Sequence, residues 1–331
     1  MSSLLLDSGW LLRALGYSVP PLVVLYVALP LLIVMLPQIH HHLLFLNRLK
    51  NPLAKYHDLA ASGVEFLGRN FYISSRPAEY DPSPIRLGLW HVLPKCLSDR
   101  YAGSLGRSEV EVPFEELLGS GQFPIVIYCH GNSFDRTGAH RVELYNLLAS
   151  MNYHVVALDY RGYGDSTGTS TEDGLAADAA AAIEYVVKLV KKGANSTNNA
   201  PLFVWGHSLG SAVVTHAVSE IPPVTFPFRW LPSDWLDRAF VEPIRSAGVR
   251  MDSDRRIRAF RCPVLILHAK NDHVIPFALA ERLYRAALDA KVDVRLEEFP
   301  ADSRKLRHKH ICRAGELPDI VRQFVAKCTS C

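Results

Sequence analysis

Hydrophobic and polar positions alternate in blocks along most of the chain, and each block has the length of a strand or a helix. Short apolar runs end at polar or glycine-rich residues, and longer amphipathic runs separate them. The predicted strands are 85–93, 123–129, 154–160, 202–205, 264–268 and 292–299, with 110–114 as a further one. The predicted helices are 139–150, 171–191, 211–218, 277–289 and 316–327. Strands that alternate with helices predict an α/β fold with a mostly parallel sheet and helices on both faces.

The first two predicted strands, 85–93 and 110–114, precede this regular alternation. We expect them to form an antiparallel edge of the sheet, as often occurs beside a mostly parallel one. The pattern divides the chain into an N-terminal segment (1–46), a polar, proline-containing lead-in (47–120) and an α/β core (121–331).

The N-terminal segment contains a long apolar stretch. No Asp, Glu, Lys or Arg lies between Arg13 and Arg48, and 19–36 is almost wholly apolar. This length is close to the ~20 residues that cross a bilayer as a helix. A cleaved signal peptide would end in a small-residue cleavage site, which this stretch lacks, and a buried helical hairpin is the other interpretation. We therefore predict a single N-terminal membrane span over about 14–37.

Two features of the sequence disagree about the side of the membrane on which the core lies. Arg48, Lys50 and Lys55 follow the span, and the positive-inside rule would place the rest of the chain in the cytoplasm. In contrast, Asn195-Ser196-Thr197 is an N-glycosylation sequon, which matters only in the lumen.

Charge and composition exclude several classes of partner. The 331 residues carry 36 Lys and Arg against 33 Asp and Glu, a net charge of +3, and no basic run is interleaved with aromatic residues. We therefore expect no nucleic-acid partner. No phosphate-binding glycine loop opens a helix, so no cofactor is expected. The six cysteines show no spaced framework, and His40-His41-His42 is interpreted as a membrane-interface cluster, so no metal site is predicted.

A short motif follows the predicted strand 202–205. Gly206-His207-Ser208-Leu209-Gly210 fits the pattern G-x-S-x-G, and a helix is predicted directly after it. In this strand–turn–helix setting the serine occupies a sharp, strained turn that projects its Oγ from the edge of the sheet. Side chains two residues away would collide there, so glycine fits both positions. The motif predicts Ser208 as a nucleophile.

A serine nucleophile needs a base, an acid that orients the base, and donors for the oxyanion. In this architecture the partners follow in the chain order Ser, Asp or Glu, His. Asp272 lies just beyond the predicted strand 264–268 and is the predicted acid. His308 and His310 both lie beyond the last predicted strand, and both qualify as the base.

The predicted oxyanion hole consists of two backbone N–H groups. One belongs to Leu209, directly after the serine. The other comes from the loop after strand 123–129, where Asn132 is assigned and Ser133 is the alternative. The glycine-rich loop 159–166 is interpreted as structural, and its Arg161 as solvated or paired, with a substrate phosphate as the other possible contact.

Several stretches carry a family resemblance: 87–91 (LGLWH), 130–132 (HGN), 140–145 (HRVELY), 153–168 (YHVVALDYRGYGDSTG), 205–210, 262–276 and 307–309. Together they resemble the membrane-anchored lysophosphatidylserine lipase and monoacylglycerol lipase branch of the α/β-hydrolase-domain family. The resemblance implies an α/β-hydrolase fold, a serine hydrolase that cleaves acyl esters of lysophospholipids or monoacylglycerols, and His308 as the base. It also implies a single membrane span in the endoplasmic reticulum, with a lumenal catalytic domain.

The sequence departs from this family after the predicted helix 211–218. Such enzymes have another parallel strand there and then a lid, whereas 219–228 contains three prolines, which argue against a central strand. We predict that the strand between those bearing Ser208 and Asp272 is missing and that the lid covers about 220–260. Because each unpaired ladder group costs about 1–3 kcal/mol, we hypothesise a splice or gene-model variant with impaired activity. The alternative functions are a protein depalmitoylase or other thioesterase, and a catalytically impaired membrane scaffold.

Overall fold

Strands and helices alternate along most of the molecule. The computed structural model describes residues 45–77, 83–102, 111–193, 201–219, 251–300 and 306–329, all within one compact unit. The strands in these ranges are β1 (Gly68–Ser75), β2 (Ile85–Val92), β3 (Ile125–Cys129), β4 (His154–Leu158), β5 (Leu202–Gly206), β6 (Val264–Ala269) and β7 (Val294–Phe299). The α-helices are α1 (Lys95–Ala102), α2 (Phe114–Gly119), α3 (Ala139–Ser150), α4 (Glu172–Gly193), α5 (Leu209–Ser219), α6 (Ser253–Arg256), α7 (Phe277–Asp289) and α8 (Leu317–Thr329).

Five of these strands form one sheet in the order β1-β2-β4-β3-β5. β2 runs antiparallel to β1 and β4, whereas β3 pairs in parallel with β4 and β5. The register sets Cys129 of β3 beside Leu158 of β4 and Gly206 of β5. The carboxyl ends of these three strands are therefore level, and the loops that follow them emerge at one edge of the sheet. Ligands of open α/β sheets bind at this edge.

The predicted helices agree closely with the observed ones. α3 and α7 have the predicted bounds, and α4 begins one residue later than predicted. Acidic residues (Glu172, Asp173) lie in the first turn of α4 and lysines (Lys191, Lys192) in the last. This arrangement of charge stabilises the helix dipole.

The predicted strand at 110–114 is wrong. Phe114 begins the helix α2, whose first turn contains Glu115 and Glu116 and which follows Pro113. Acidic residues and a proline both favour a helix start, and they outweigh the short apolar run. The antiparallel partner of β2 is instead β1, which was not predicted because its residues are half-buried along most of its length without a period of two.

The core explains why the central strands are apolar throughout. β3 and β4 are buried at every position, so neither needs a polar face. One cluster of buried side chains contains Tyr128 and Val155 of these strands together with Ala269 of β6, Phe299 of β7 and Leu317 of α8. Each large apolar side chain buried in this way contributes about 1.5–3 kcal/mol.

β6 and β7 form a separate parallel pair. Within the described residues, β5 pairs only with β3, so its other edge carries no strand. The segment in which we predict the missing strand, and the predicted lid except 251–260, lie outside the described residues. The part of the lid that is described contains α6, and its Ile257 and Phe260 pack with Ala286 and Ala287 of α7.

The predicted membrane span over 14–37, the run His40-His41-His42 and the sequon at Asn195 also lie outside the described residues. Across the ranges that are described, none of the helices combines the length and the hydropathy that crossing a bilayer requires.

Candidate active site

The G-x-S-x-G motif lies on a sharp turn between β5, which ends at Gly206, and α5, which begins at Leu209. Ser208 has φ 54°, in the left-handed region that costs a non-glycine residue free energy. A Cβ on Gly206 would lie 2.5 Å from the Gly210 carbonyl oxygen, and a Cβ on Gly210 only 1.9 Å from the Cys129 carbonyl oxygen. Backbone atoms occupy both places, so only glycine fits on either side of Ser208.

Asp272 and His308 form a hydrogen-bonded pair. His308 Nδ1 lies 2.8 Å from Asp272 Oδ2, and the other oxygen, Oδ1, accepts the backbone N–H groups of Val274 (2.8 Å) and Ile275 (2.9 Å). Burial raises the pKa of the Asp272 carboxyl, but the hydrogen bond and charge of His308 and the two N–H groups outweigh it and hold the pKa below its ordinary value. The carboxylate therefore only accepts, so the proton of a neutral His308 lies on Nδ1 and Nε2 is left as the basic nitrogen.

The structure brings His308, and not His310, to the carboxylate. His310 Nδ1 is buried and has no hydrogen-bond partner among the described residues, and the His310 ring lies edge-on to His140 with 6.2 Å between ring centroids. The geometry thus separates two histidines that the sequence alone left equivalent.

Ser208 and His308 line one small pocket at the carboxyl edge of the sheet. Ser208 Oγ makes no hydrogen bond with any described residue, so the serine and the imidazole share the pocket without being joined. Catalytic hydrogen bonds are often long or unformed before substrate binds. A Cβ on Gly131 would lie 3.2 Å from Ser208 Cβ, which shows how closely the loop after β3 packs against the serine.

Of the predicted oxyanion donors, Asn132 lines this pocket and Leu209 directly follows its residue Ser208. The N–H of Leu209, at the start of α5, donates no hydrogen bond within the described residues. Asn132 lines the pocket, as does Ser133. The Asn132 side chain is engaged elsewhere, because its Oδ1 accepts the N–H of Leu46 (2.8 Å), the N–H of Ser133 (3.1 Å) and the hydroxyl of Tyr163 (2.8 Å). The role predicted for Asn132 belongs to its backbone N–H.

His207 is a residue of the site that sequence reasoning missed. Its Nε2 donates to the carbonyl oxygen of His308 at 2.9 Å. Burial lowers the pKa of His207 to about 3, so the ring is neutral near pH 7 and Nε2 carries its proton. His207 therefore joins the elbow to the segment that carries the base. The motif leaves this position free, and its partner lies 101 residues away, so no spacing in the sequence signals the contact.

The interpretation of the loop 159–166 as structural is confirmed. Arg161 is buried and pairs with Asp178, with Nη2 2.7 Å from Oδ1 and Nε 3.0 Å from both carboxylate oxygens. At the start of the same loop, Asp159 Oδ2 accepts a hydrogen bond from Arg136 Nη1 at 2.5 Å. Burial raises the pKa of Asp159, but the charges and hydrogen bonds of Arg136 and His130 together outweigh it and hold the pKa below its ordinary value. Arg161 therefore belongs to a buried structural ion pair with Asp178 and is not a contact for substrate phosphate.

The part of the chain that the structure describes contains no cluster of side chains suited to bind a metal ion. Side chains of His, Cys, Asp and Glu do not gather there in groups of three or more that could hold an ion.

Similarity to known proteins agrees with this architecture. The family described as Hydrolase_4: Serine aminopeptidase, S33 matches residues 123–227. Two solved structures share the fold: an α/β-hydrolase from Vibrio vulnificus (TM-score 0.56, 14% identity, 89% of this chain and 93% of that one) and the esterase Pf2001 from Pyrococcus furiosus (TM-score 0.53, 18% identity, 83% and 93%).

Sequence relatives are closer. The lysophosphatidylserine lipase ABHD12 of Bos taurus is 35% identical over 334 residues, which cover 92% of this chain and 78% of the relative. Protein ABHD12B of Homo sapiens is 30% identical over 286 residues, which cover 78% and 72%. Since the identity extends over most of both sequences, this chain belongs to the family of α/β-hydrolases that contains the ABHD12 lysophosphatidylserine lipases and ABHD12B.

Proposed function

We propose that this protein is a serine hydrolase that cleaves the acyl ester of lysophospholipids, lysophosphatidylserine among them, and of monoacylglycerols. The observation that carries the proposal is the Asp272–His308 pair, with 2.8 Å between Oδ2 and Nδ1, whose histidine lines one pocket with the serine of a glycine-flanked elbow. The names of the relatives supply the lipid class, since the ABHD12 proteins are lysophosphatidylserine lipases.

The proposed reaction follows from these groups. Ser208 Oγ attacks the acyl carbonyl carbon as His308 Nε2 takes the serine proton, and the carbonyl electrons move to the oxygen. The N–H groups of Leu209 and Asn132 stabilise that oxyanion. The carbon–oxygen bond to the glycerol then breaks, and the departing oxygen takes the proton from His308. A water molecule, deprotonated by the same imidazole, hydrolyses the acyl-enzyme and restores Ser208.

The charge of the pocket supports an anionic lysophospholipid over a neutral monoacylglycerol. Two cations, Arg141 and Lys309, line the pocket, and none of its lining residues is acidic. Lys309 is exposed and forms no ion pair with the described residues. A cation beside His308 attracts the phosphodiester of a head group and offers nothing comparable to a monoacylglycerol.

Labelling with a fluorophosphonate, followed by a lipid assay, tests the proposal. We expect the wild type to react with the probe and to release fatty acid from lysophosphatidylserine, and Ser208→Ala to do neither. Ser150→Ala, at the exposed end of α3, is the matched control and should behave as the wild type. Equal labelling of the wild type and Ser208→Ala would remove Ser208 from the reaction. A palmitoyl thioester cleaved faster than every lipid ester would favour a depalmitoylase.

The location proposed for the enzyme is a membrane of the endoplasmic reticulum, held by one N-terminal span over about 14–37, with a lumenal catalytic domain. The apolar N-terminal stretch and the sequon at Asn195 support this arrangement, although Arg48, Lys50 and Lys55 favour the opposite one. A tag at the C-terminus in sealed microsomes should resist added protease until detergent is present. Digestion without detergent would place the domain in the cytoplasm.

The second candidate function, a membrane scaffold with impaired catalysis, comes from the sequence, in which three prolines after the predicted helix 211–218 argue against the strand between those bearing Ser208 and Asp272. A folded wild type that neither labels with fluorophosphonate nor hydrolyses any ester would exclude the lipase and favour the scaffold.

A further inference from the structure

A buried arginine contacts the loop that carries a predicted oxyanion donor. Arg141, in the first turn of α3, is 2% exposed. Its guanidinium donates to three backbone carbonyl oxygens of that loop: Nη2 to Gly131 (3.1 Å) and Ser133 (2.7 Å), and Nη1 to Asp135. No carboxylate of the described residues forms an ion pair with Arg141, and Nε is buried without a hydrogen-bond partner.

This arrangement is unusual, because a buried charge without a counter-ion normally destabilises a fold by several kcal/mol. A cation in the first turn of a helix is also disfavoured by the helix dipole. The nearby pairs Arg136–Asp159 and Arg161–Asp178 show the ordinary solution, in which a carboxylate compensates the buried arginine. Arg141 differs from the other two because carbonyl oxygens, and no carboxylate of the described residues, accept the hydrogen bonds of its guanidinium.

The three hydrogen bonds fix the direction of the loop's peptide groups. In a trans peptide the C=O and the following N–H point in opposite directions, and the described residues contain no cis peptide. The N–H groups of Phe134 and Arg136 accordingly point away from Arg141, to Leu49 O (3.0 Å) and to Asp159 Oδ1 (2.7 Å).

The same geometry applies to the donor of interest. The carbonyl of Gly131 accepts from Arg141 and from His130 Nδ1 (2.7 Å), so two donors fix this peptide. The N–H of Asn132, on the opposite side of that peptide, points away from Arg141. Gly131 packs against Ser208, and Arg141, Asn132 and Ser208 line one pocket, so this peptide group borders the pocket of the nucleophile.

The charge of Arg141 reaches the pocket as well. Burial first, and then the positive charge of Arg141, lower the pKa of His140, another residue of the pocket wall, to about 2. The charge also contributes to the lowered pKa of His207. A field that disfavours an added positive charge at these positions favours a negative one.

We propose that Arg141 is a positioning residue for the oxyanion hole: it orients the Asn132 N–H and adds a positive charge to the pocket in which the oxyanion forms. This inference rests on the proposed serine hydrolase function. Arg141 acts through this loop, because its guanidinium donates to three of the loop's carbonyl oxygens. Its contribution is realised when negative charge develops on the acyl oxygen, and it therefore acts on kcat rather than on KM.

Kinetics with a water-soluble nitrophenyl ester test the proposal in the full chain, with Arg141→Gln and Arg141→Lys compared with the wild type. Removing one oxyanion donor lowers kcat by about 10²–10³-fold in serine hydrolases, and we expect a loss of that order for Arg141→Gln at unchanged KM. Arg141→Lys keeps the charge but not the three-carbonyl contact, so its loss should be smaller. The affinity for a trifluoromethyl ketone, whose adduct with Ser208 carries an oxyanion, should fall in parallel with kcat.

Arg161→Lys serves as the control, since it alters a buried arginine outside the pocket lining. Thermal unfolding is measured for every variant, and only folded variants are compared. A folded Arg141→Gln with wild-type kcat, or a loss confined to KM or not shared by the ketone, would overturn the proposal. If Arg141→Gln does not fold, Arg141→Lys decides, and wild-type kcat and ketone affinity in that variant would overturn it. If the wild type cleaves the soluble ester but no lysophospholipid, only the proposed substrate class is wrong. If the wild type reacts with neither the ester nor the fluorophosphonate, both the hydrolase function and this inference are wrong.

Discussion

Replacing Asp272 by asparagine tests the acid–base pair while preserving its shape. Asp272 Oδ1 accepts two backbone N–H groups, from Val274 and Ile275, at 2.8 and 2.9 Å. An asparagine must place its carbonyl oxygen there, because an NH₂ group facing two N–H donors would be repelled. The NH₂ group then faces His308 Nδ1, which in the wild type lies 2.8 Å from Asp272 Oδ2.

That orientation selects the wrong tautomer of His308. An NH₂ donor at Nδ1 requires an unprotonated Nδ1, so the proton of the neutral ring moves to Nε2, which can no longer accept the proton of Ser208. Such a tautomer change lowers kcat by roughly 10⁴-fold in the serine protease template. We expect a loss of about 10³–10⁴-fold here, which at 1.36 kcal/mol for each tenfold corresponds to about 4–5.5 kcal/mol in the activation barrier.

The assay is the rate of fluorophosphonate labelling and of nitrophenyl ester hydrolysis at pH 7, with urea unfolding measured beside it. The free energy of unfolding should change little, because both backbone hydrogen bonds persist. Asp289→Asn, at the exposed end of α7, is the matched control and should retain wild-type activity. A folded Asp272→Asn protein with more than about a tenth of wild-type kcat, a barrier increase below 1.36 kcal/mol, would refute the assignment of Asp272 as the orienting acid.

Three further predictions follow from the same geometry. Gly210→Ala places a Cβ 1.9 Å from the Cys129 carbonyl oxygen, so we expect loss of fluorophosphonate labelling and a lower melting temperature, and labelling at the wild-type rate would contradict the proposed tightness of the elbow. Lys309→Met should lower kcat/KM for lysophosphatidylserine about fivefold and leave monoacylglycerol hydrolysis unchanged. A fivefold loss corresponds to about 1 kcal/mol, which is typical of one solvent-exposed ion pair. Equal losses for both lipids, or the same loss in the exposed control Lys188→Met, would exclude a head-group contact. Burial lowers the pKa of His154 and of His207 to about 3, whereas the pKa of histidine in the unfolded chain is about 6.5. Below pH 6.5 the unfolded state therefore binds more protons than the folded state, and the free energy of unfolding falls as the pH falls. Each histidine contributes up to about 1.4 kcal/mol per pH unit, and urea unfolding that is unchanged between pH 7 and 5 would show that these histidines are not buried as described.

The sequence predicts the elements of this site that lie at strand ends. Ser208 follows β5 and Asp272 follows β6, and the carboxyl ends of parallel strands form the edge at which such residues meet. Gly206 and Gly210, where an added Cβ would collide with the backbone, mark the elbow in the sequence as clearly as in the structure. These features are local, so a single stretch of residues carries the information.

What the sequence could not provide are contacts between distant segments. His308 and His310 stand two residues apart, and only the fold of the segment after β7 decides which one reaches Asp272. His207 and Arg141 bind backbone carbonyl oxygens, and a carbonyl group is present at every residue and leaves no signature in a sequence. The strand β1 was missed for a related reason, since pairing with β2 rather than its own pattern defines it.

Within the described residues, the reacting groups belong to two different sheets. Ser208 belongs to the five-stranded sheet and Asp272 to the β6–β7 pair, and no ladder hydrogen bond in the described residues joins them. Packing joins them instead, because Tyr128 and Phe299 belong to one buried cluster. The hydrogen bond from His207 to the His308 carbonyl adds a directional link. Apolar packing is non-directional, whereas the hydrogen bond of His207, the neighbour of the nucleophile, fixes the direction in which the segment of the base approaches. The catalytic alignment therefore depends on a neutral imidazole at a position that the motif itself leaves unspecified.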